Sequence, residues 1–245
     1  MKKGFKLLIL ALMCTTTISM AKGPKVAYTN QGFYTNAPEQ VAVNFVSVDD
    51  IKKSLEGKAP MTVSFDIDDT LLFSSQYFHY GFTFGKELGF GSNPREVLNS
   101  QKFWDYVAEQ EDRESIPKKV AKELIKMHLE RGDKIVFITG RTPHSKAKNG
   151  IVNGTSKVLQ KYFEMPKASP IWYTSETVKG NYKYDKSYYI KKVNSKIHYG
   201  DSDSDILAAM EVGIRAIRVQ RAYNSTNPQN LNGGYGEEVV INSAW

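Results

Sequence analysis

Met61-Thr62-Val63-Ser64-Phe65-Asp66-Ile67-Asp68-Asp69-Thr70 is the stretch on which the reading of this chain turns. Pro60 precedes it, and residues 61–65 form an apolar, β-branched run that predicts a strand. Where the run ends, three aspartates fall within four positions. Side chains two apart on a strand point the same way, so Asp66 and Asp68 can face one small volume. Like charges this close raise each other's pKa and destabilise the fold unless a cation or a shared proton offsets them. A turn with helix-capping aspartates accounts for Asp69-Thr70 comfortably and for Asp66 badly.

Outward from this stretch, four further runs read as strands: residues 134–139 (KIVFIT), 171–174 (IWYT), 196–199 (KIHY) and 216–219 (AIRV). Helical patterns lie between them. Ser47-Val48-Asp49-Asp50 before Ile51 and Leu55 predicts a helix start. Ile116-Pro117 opens a second helix, with Val120, Leu124, Ile125, Met127 and His128 at helical spacing, closed at Gly132. A third follows Asp203 and closes at Gly213. Strands alternating with helices in this way predict an α/β fold with a doubly wound parallel sheet. Residues 73–110 break the alternation. They are rich in aromatics, among them Phe78 and Trp104, and predict a small helical cap inserted over the sheet's functional edge, within about residues 73–115. The tail from Ala222 is polar and ends in an expected edge strand at residues 238–241.

Two more clusters fall at strand ends. Gly200-Asp201-Ser202-Asp203-Ser204-Asp205 follows the strand at 196–199, and Asp203 reads as the N-cap of its helix, which leaves Asp201 and Asp205 unexplained by capping. In parallel α/β sheets the strand-to-helix junctions share the carboxyl edge, where ligands bind. Two acidic clusters on that edge suit a hard divalent cation such as magnesium. Thr139-Gly140-Arg141 ends the strand at 134–139: a hydroxyl, a glycine that lets backbone N–H groups approach, and a guanidinium make a cradle for phosphoryl oxygens.

DxDDT, TGR, a lysine and GDSDxD in this order resemble the haloacid dehalogenase-like phosphatases, and the chain from about Val41 to Trp245 is most similar to the class B bacterial non-specific acid phosphatases. The similarity runs through FDIDDTLLFSS, IPKKVAKELIKMH, GDKIVFITGR, YGDSDSDI and the terminal GEEVVINS. The resemblance implies that Asp66 is the nucleophile and a metal ligand, and that Asp68 is the general acid and base, its carbonyl also on the metal. Asp201 would be the other carboxylate ligand and Asp205 would support the site. Thr139 and Lys186 would hold the phosphoryl group, and Phe78, Trp104 and, more weakly, Tyr188 would line a hydrophobic subsite. It also implies one Mg²⁺ per subunit, broad action on small phosphomonoesters including nucleotides and aryl phosphates, phosphoryl transfer to alcohols, and a homotetramer. An acidic working range follows if Asp68 must carry a proton when substrate binds. A dedicated 5′-nucleotidase, a class C-type acid phosphatase and a binding protein that has lost its chemistry are the alternatives; the intact Asp66, Asp68 and Asp201 argue against the last.

Lys2, Lys3 and Lys6, an apolar run at residues 7–13 and Ser19-Met20-Ala21 predict a signal peptide over residues 1–21, hence export to the periplasm. Residues 22–45 read as a polar arm and 46–245 as the phosphatase domain. Cys14 is the only cysteine and Met13 before it is not small, so no lipid anchor is expected. Three units of the formal net charge of +7 come from the leader lysines. The remainder favours small anions but makes no footprint for a nucleic-acid polymer. Lys118-Lys119 and Lys191-Lys192 read as solvated helix faces. None of His79, His128, His144 and His198 has metal-ligand spacing; His128 and His198 read as packing residues and His79 as a pocket rim.

Overall fold

The computed structural model describes residues 43–176, 180–227 and 233–245, so the expected signal peptide, Cys14 and most of the expected arm lie outside the described residues. Nine strands and eight helices follow one another in the described chain. Seven strands form one sheet in the order β1 (Asn44–Val46), β9 (Glu238–Val240), β8 (Arg215–Val219), β7 (Ser195–Gly200), β2 (Thr62–Phe65), β5 (Lys134–Thr139), β6 (Ile171–Tyr173), every pairing parallel. The central strands are buried on both faces, as a parallel sheet between helices requires.

The alternation of side chains sorts the core. Val63, Phe65, Ile135, Phe137, Ile197 and Tyr199 pack on one face against α1 (Val48–Ser54), α5 (Lys119–Glu130) and α6 (Gly154–Tyr162). Ile138 and Ala216 pack on the other against α7 (Asp185–Lys192) and α8 (Asp203–Glu211). Helix α1 starts as expected: Ser47 and Asp50 form a reciprocal capping box. The tail strand is not an edge. β1 pairs outside β9, so residues 44 and 45, assigned to the arm in the sequence, belong to the sheet.

Two helix starts differ from expectation. Ile116–Pro117 is a short strand, β4, paired antiparallel with β3 (Leu72–Phe73), and α5 begins only after it. Proline has no N–H to lose in this two-residue pairing, and its fixed φ suits extended chain. Ser202, not Asp203, caps α8. The β3–β4 ribbon is the stalk of the insertion, whose three helices are α2 (Ser75–Leu88), α3 (Pro94–Leu98) and α4 (Gln101–Glu109). They bury Tyr77, Phe78, Phe90, Val97, Phe103 and Trp104 as a separate core. Gly81 and Gly85 let α2 close on its neighbours, since a Cβ on either would lie 2.7 Å from Phe103 or from the Gly91 carbonyl oxygen.

His128 is more than packing. It is fully buried, its Nδ1 2.7 Å from Asp133 Oδ2 and its Nε2 2.8 Å from the Tyr199 hydroxyl. With Asp133 ionised, Nδ1–H donates to it and Nε2 accepts from Tyr199. Asp133 also accepts from the Met61 N–H at 2.8 Å, which ties the start of β2 to the turn before β5. Burial lowers the proton affinity of His128, and Asp133 opposes it without cancelling it. Below about pH 6.5, where a free imidazole titrates, the unfolded chain binds a proton that the folded chain refuses, so stability falls with pH through this group. His128→Gln should be less stable in urea titrations above neutrality yet lose less stability than the parent between about pH 7 and pH 5. Parallel pH profiles for the two proteins would contradict this.

Candidate active site

β2 lies between β7 and β5, so the ends of these three strands bring the two acidic clusters and the Thr-Gly-Arg turn side by side. The Asp66 N–H donates to the Tyr199 carbonyl at 2.9 Å, pinning the first cluster to the neighbouring strand. A cleft of about 410 Å³ opens here. Asp66, Asp68, Asp201 and Asp205 line its floor, Thr139, Gly140, Arg141 and Lys186 one wall, and Phe78 and Trp104 of the cap the roof. A Cβ on Gly140 would meet nothing within 4 Å, so that position is open to the cleft. At Gly200 the reverse holds: a Cβ would fall 2.2 Å from the Asp205 Cβ, so only glycine lets Asp205 fold back over the end of β7.

The carboxylates are held by opposite charges and by donors. Lys186 Nζ, from α7, donates to Asp66 Oδ1 and to Asp205 Oδ1. Burial alone would lower the lysine's proton affinity, but Asp205 and Asp66 raise it above its ordinary value. Asp205 accepts at Oδ2 from the Ser202 N–H at 3.1 Å and from its hydroxyl at 2.7 Å, so it closes the capping box of α8 as well as holding the lysine. His198 Nε2 lies 3.3 Å from Asp205 Oδ1 and its Nδ1 2.9 Å from the Ser64 hydroxyl, so this histidine supports the site from beneath. Burial, reinforced by the charges on Asp205, Asp201 and Asp68, pushes the Asp66 carboxyl well above the usual range despite Lys186. In a site without a compensating cation this is the strain that the spacing of the aspartates implies.

Asp66, Asp201 and Asp205 each offer an oxygen within 4.8 Å of the others. An all-carboxylate donor set of this kind fits a hard divalent cation and offers nothing to a soft one. Thr70, inside the quoted stretch, donates its hydroxyl to Asp201 Oδ1 at 3.0 Å and fixes the second carboxylate against the first strand.

Arg141 is placed differently from a bare phosphate cradle. Its Nε and Nη2 donate to Asp68 Oδ2 and Oδ1 at 2.8 and 2.7 Å, and its Nη1 and Nη2 to Asp112 at 2.9 and 2.8 Å. Four of the five donors of a guanidinium are thereby used. Burial raises the Asp68 carboxyl, but Arg141 outweighs it, and the group is held below its ordinary value. The guanidinium also lies 5.5 Å from the Trp104 ring, joining the turn to the cap. Thr139, at the end of β5, accepts from the Arg141 N–H at 3.3 Å, which leaves its own proton to donate.

Other assignments change. Tyr188 does not line the cleft; it packs against Tyr189 at 5.2 Å with Lys192 Nζ 5.6 Å from its ring, and Tyr184 takes the place at the cleft wall. His79 is exposed on α2 and away from the cleft lining. Asp203 accepts from Arg218 Nη2 at 2.8 Å, and this fully buried arginine also donates to the Asp201 carbonyl at 2.7 Å, fixing the second cluster from β8. Lys118 is not a solvated lysine: it is 2 % exposed, and its Nζ donates to the carbonyls of Asp69 and Gln220 at 2.8 and 2.6 Å. Burial lowers it to about 8. Arg221, which carried no motif signal beyond following a strand end, donates from Nε to Asp201 Oδ2 at 2.6 Å.

A family profile, HAD superfamily, subfamily IIIB (Acid phosphatase), matches residues 12–226. A class B acid phosphatase of Aggregatibacter actinomycetemcomitans is 44 % identical over 249 residues, covering all of both chains. Those of Haemophilus parainfluenzae and Haemophilus influenzae are 45 and 43 % identical over 99 and 100 % of each chain. Among solved structures, a predicted phosphoglycolate phosphatase from Haemophilus somnus aligns with a TM-score of 0.53 at 14 % identity, over 75 % of this chain and 94 % of that one, a likeness of fold alone. The chain belongs to the class B acid phosphatases, within the HAD superfamily.

Proposed function

We propose that this acid phosphatase is exported and magnesium-dependent, and that it hydrolyses small phosphomonoesters, nucleotides and aryl phosphates among them, through a phosphoryl group carried on Asp66. The observation that carries the reading is the convergence of Asp66, Asp201 and Asp205 beside Lys186 and Thr139 in one cleft. Asp66 and Asp201 would hold the metal, with the Asp68 carbonyl, and Asp205 would hold Lys186 and support them. The metal would supply positive charge to the phosphoryl oxygens and relieve the repulsion among the aspartates.

In the first step an Asp66 oxygen bonds to phosphorus while the bond from phosphorus to the ester oxygen breaks, and Asp68 gives its proton to the departing alcohol. In the second, Asp68 takes a proton from water, whose oxygen bonds to phosphorus as the bond to Asp66 breaks, releasing phosphate. An alcohol in place of that water gives phosphoryl transfer. Thr139 and Lys186 hold the phosphoryl oxygens, whose charge needs fixed donors more than it needs bond-making groups. The Arg141 pairing competes with the proton on Asp68, which favours acidic conditions for the first step. Phe78 and Trp104 offer apolar surface to a base or aryl ring. Residues 1–21 act as the signal peptide, the protein works in the periplasm without a membrane anchor, and four copies assemble. Among the described residues no helix is long and apolar enough to cross a membrane.

Hydrolysis of p-nitrophenyl phosphate should vanish in EDTA and return with magnesium, and Asp66→Asn should lower kcat by about three orders of magnitude or more. Full activity in Asp66→Asn would overturn the mechanism. Phe78→Ala should raise KM for a nucleotide about three- to tenfold while leaving a small alkyl phosphate nearly unchanged. Equal changes for both would remove Phe78 from the subsite.

A further inference from the structure

Asp112 stands outside every motif in the chain, where the cap insertion returns towards β4. It and Glu111 both adopt left-handed backbone, with φ of 50° and 53°, a conformation that non-glycine residues rarely take and that the surroundings must enforce. Its side chain is 1 % exposed. Three contacts fix it: Oδ2 accepts from Arg141 Nη1 at 2.9 Å, and Oδ1 accepts from Arg141 Nη2 at 2.8 Å and from the Ser115 hydroxyl at 3.2 Å. Tyr162 of α6 donates to its backbone carbonyl at 3.1 Å. Arg141 in turn grips Asp68 through Nε and Nη2.

A guanidinium is a rigid plate, so fixing one edge fixes the direction of the other. The two carboxylates on this plate are not equivalent. The Asp68 side chain is 17 % exposed and faces the cleft, whereas that of Asp112 is 1 % exposed and lies behind it. An ion pair that served only the fold would need one carboxylate; a second buried negative charge costs free energy that its contacts must offset.

We propose that Asp112 is a positioning residue for phosphoryl transfer. By holding Nη1 and Nη2 of Arg141 it sets the plane of the guanidinium and so aims the Asp68 carboxyl at the departing ester oxygen. This rests on the reading of Asp68 as the general acid. Asp112 touches no substrate itself, and its strained segment at the end of the cap ties the placement of the acid to the seating of the cap.

Proton delivery matters most when the leaving group is poor, so the test compares leaving groups. kcat/KM, which reports the first chemical step, is measured for the full-length protein with magnesium on p-nitrophenyl phosphate and on simple alkyl phosphates. The variants are Asp112→Asn and Asp68→Asn, with folding followed by circular dichroism. Asp112→Asn should lower kcat/KM on the alkyl esters about tenfold more than on the aryl ester, and Asp68→Asn should show the same bias more strongly. If Asp68→Asn shows the bias and Asp112→Asn loses activity equally on all esters, Asp112 is structural only and the proposal fails. If Asp68→Asn shows no bias, the general-acid reading beneath it fails instead. Asp112→Glu, which keeps the charge and displaces it by one methylene, carries the same comparison should Asp112→Asn not fold.

Discussion

Four carboxylates, Asp66, Asp68, Asp201 and Asp205, are brought to the ends of two adjacent parallel strands, and their mutual repulsion is the constraint around which the neighbourhood is organised. Each has a countercharge or a donor from a different element. Lys186 on α7 bridges Asp66 and Asp205, Arg141 after β5 holds Asp68, and Arg221 after β8 holds Asp201. Because each partner comes from a separate segment, the site cannot form before the sheet does. Burial and the neighbouring carboxylates still push the Asp66 carboxyl towards its neutral form. A divalent cation among Asp66 and Asp201 is the simplest physical remedy, and the oxygen-only donor set suits it.

The cap is tied to this chemistry more closely than an independent lid would be. Its aromatic core includes the two rings that face the cleft, so the surface the cap presents to the cleft is also the surface that stabilises the insertion. Phe78 and Trp104 stand edge to face with centroids 6.1 Å apart, and Trp104 donates from Nε1 to the Leu98 carbonyl at 2.8 Å. Both rings are therefore held before any ligand arrives. Arg141 lies over the Trp104 ring and pairs with Asp112, so the Thr-Gly-Arg turn, the cap's aromatic roof and the cap's return segment meet in one side chain.

What could be read in the sequence were features with local cause. The strands at residues 62–65, 134–139 and 195–200 are short apolar runs whose ends carry the polar motifs, and the order of those motifs places Asp66, Asp68, Thr139, Asp201 and Asp205 in one cleft. Features with distant cause could not be read. Lys118 looks like half of a surface pair, and only the packing of α5 beneath the Asp69 loop buries it. Asp112 and Arg221 acquire meaning from Arg141 and Asp201, which are far away in the chain. Asp203 resembled an N-cap because aspartate and serine compete for that role, and Arg218 draws it into the first turn, leaving the cap to Ser202. The resemblance implies Tyr188 as a weaker member of the hydrophobic subsite, yet its ring packs against Tyr189 and away from the cleft.

In the proposed mechanism Asp66 carries the phosphoryl group between two half-reactions. Quenching the magnesium-loaded enzyme in acid during turnover of an aryl phosphate, then locating the added phosphoryl mass by peptide mass spectrometry, tests it directly. A hydroxylamine-labile acyl phosphate is expected on the peptide that contains Asp66, absent in Asp66→Asn. A phosphoryl group found on a histidine, or turnover at full rate with no covalent adduct at any quench time, would contradict it.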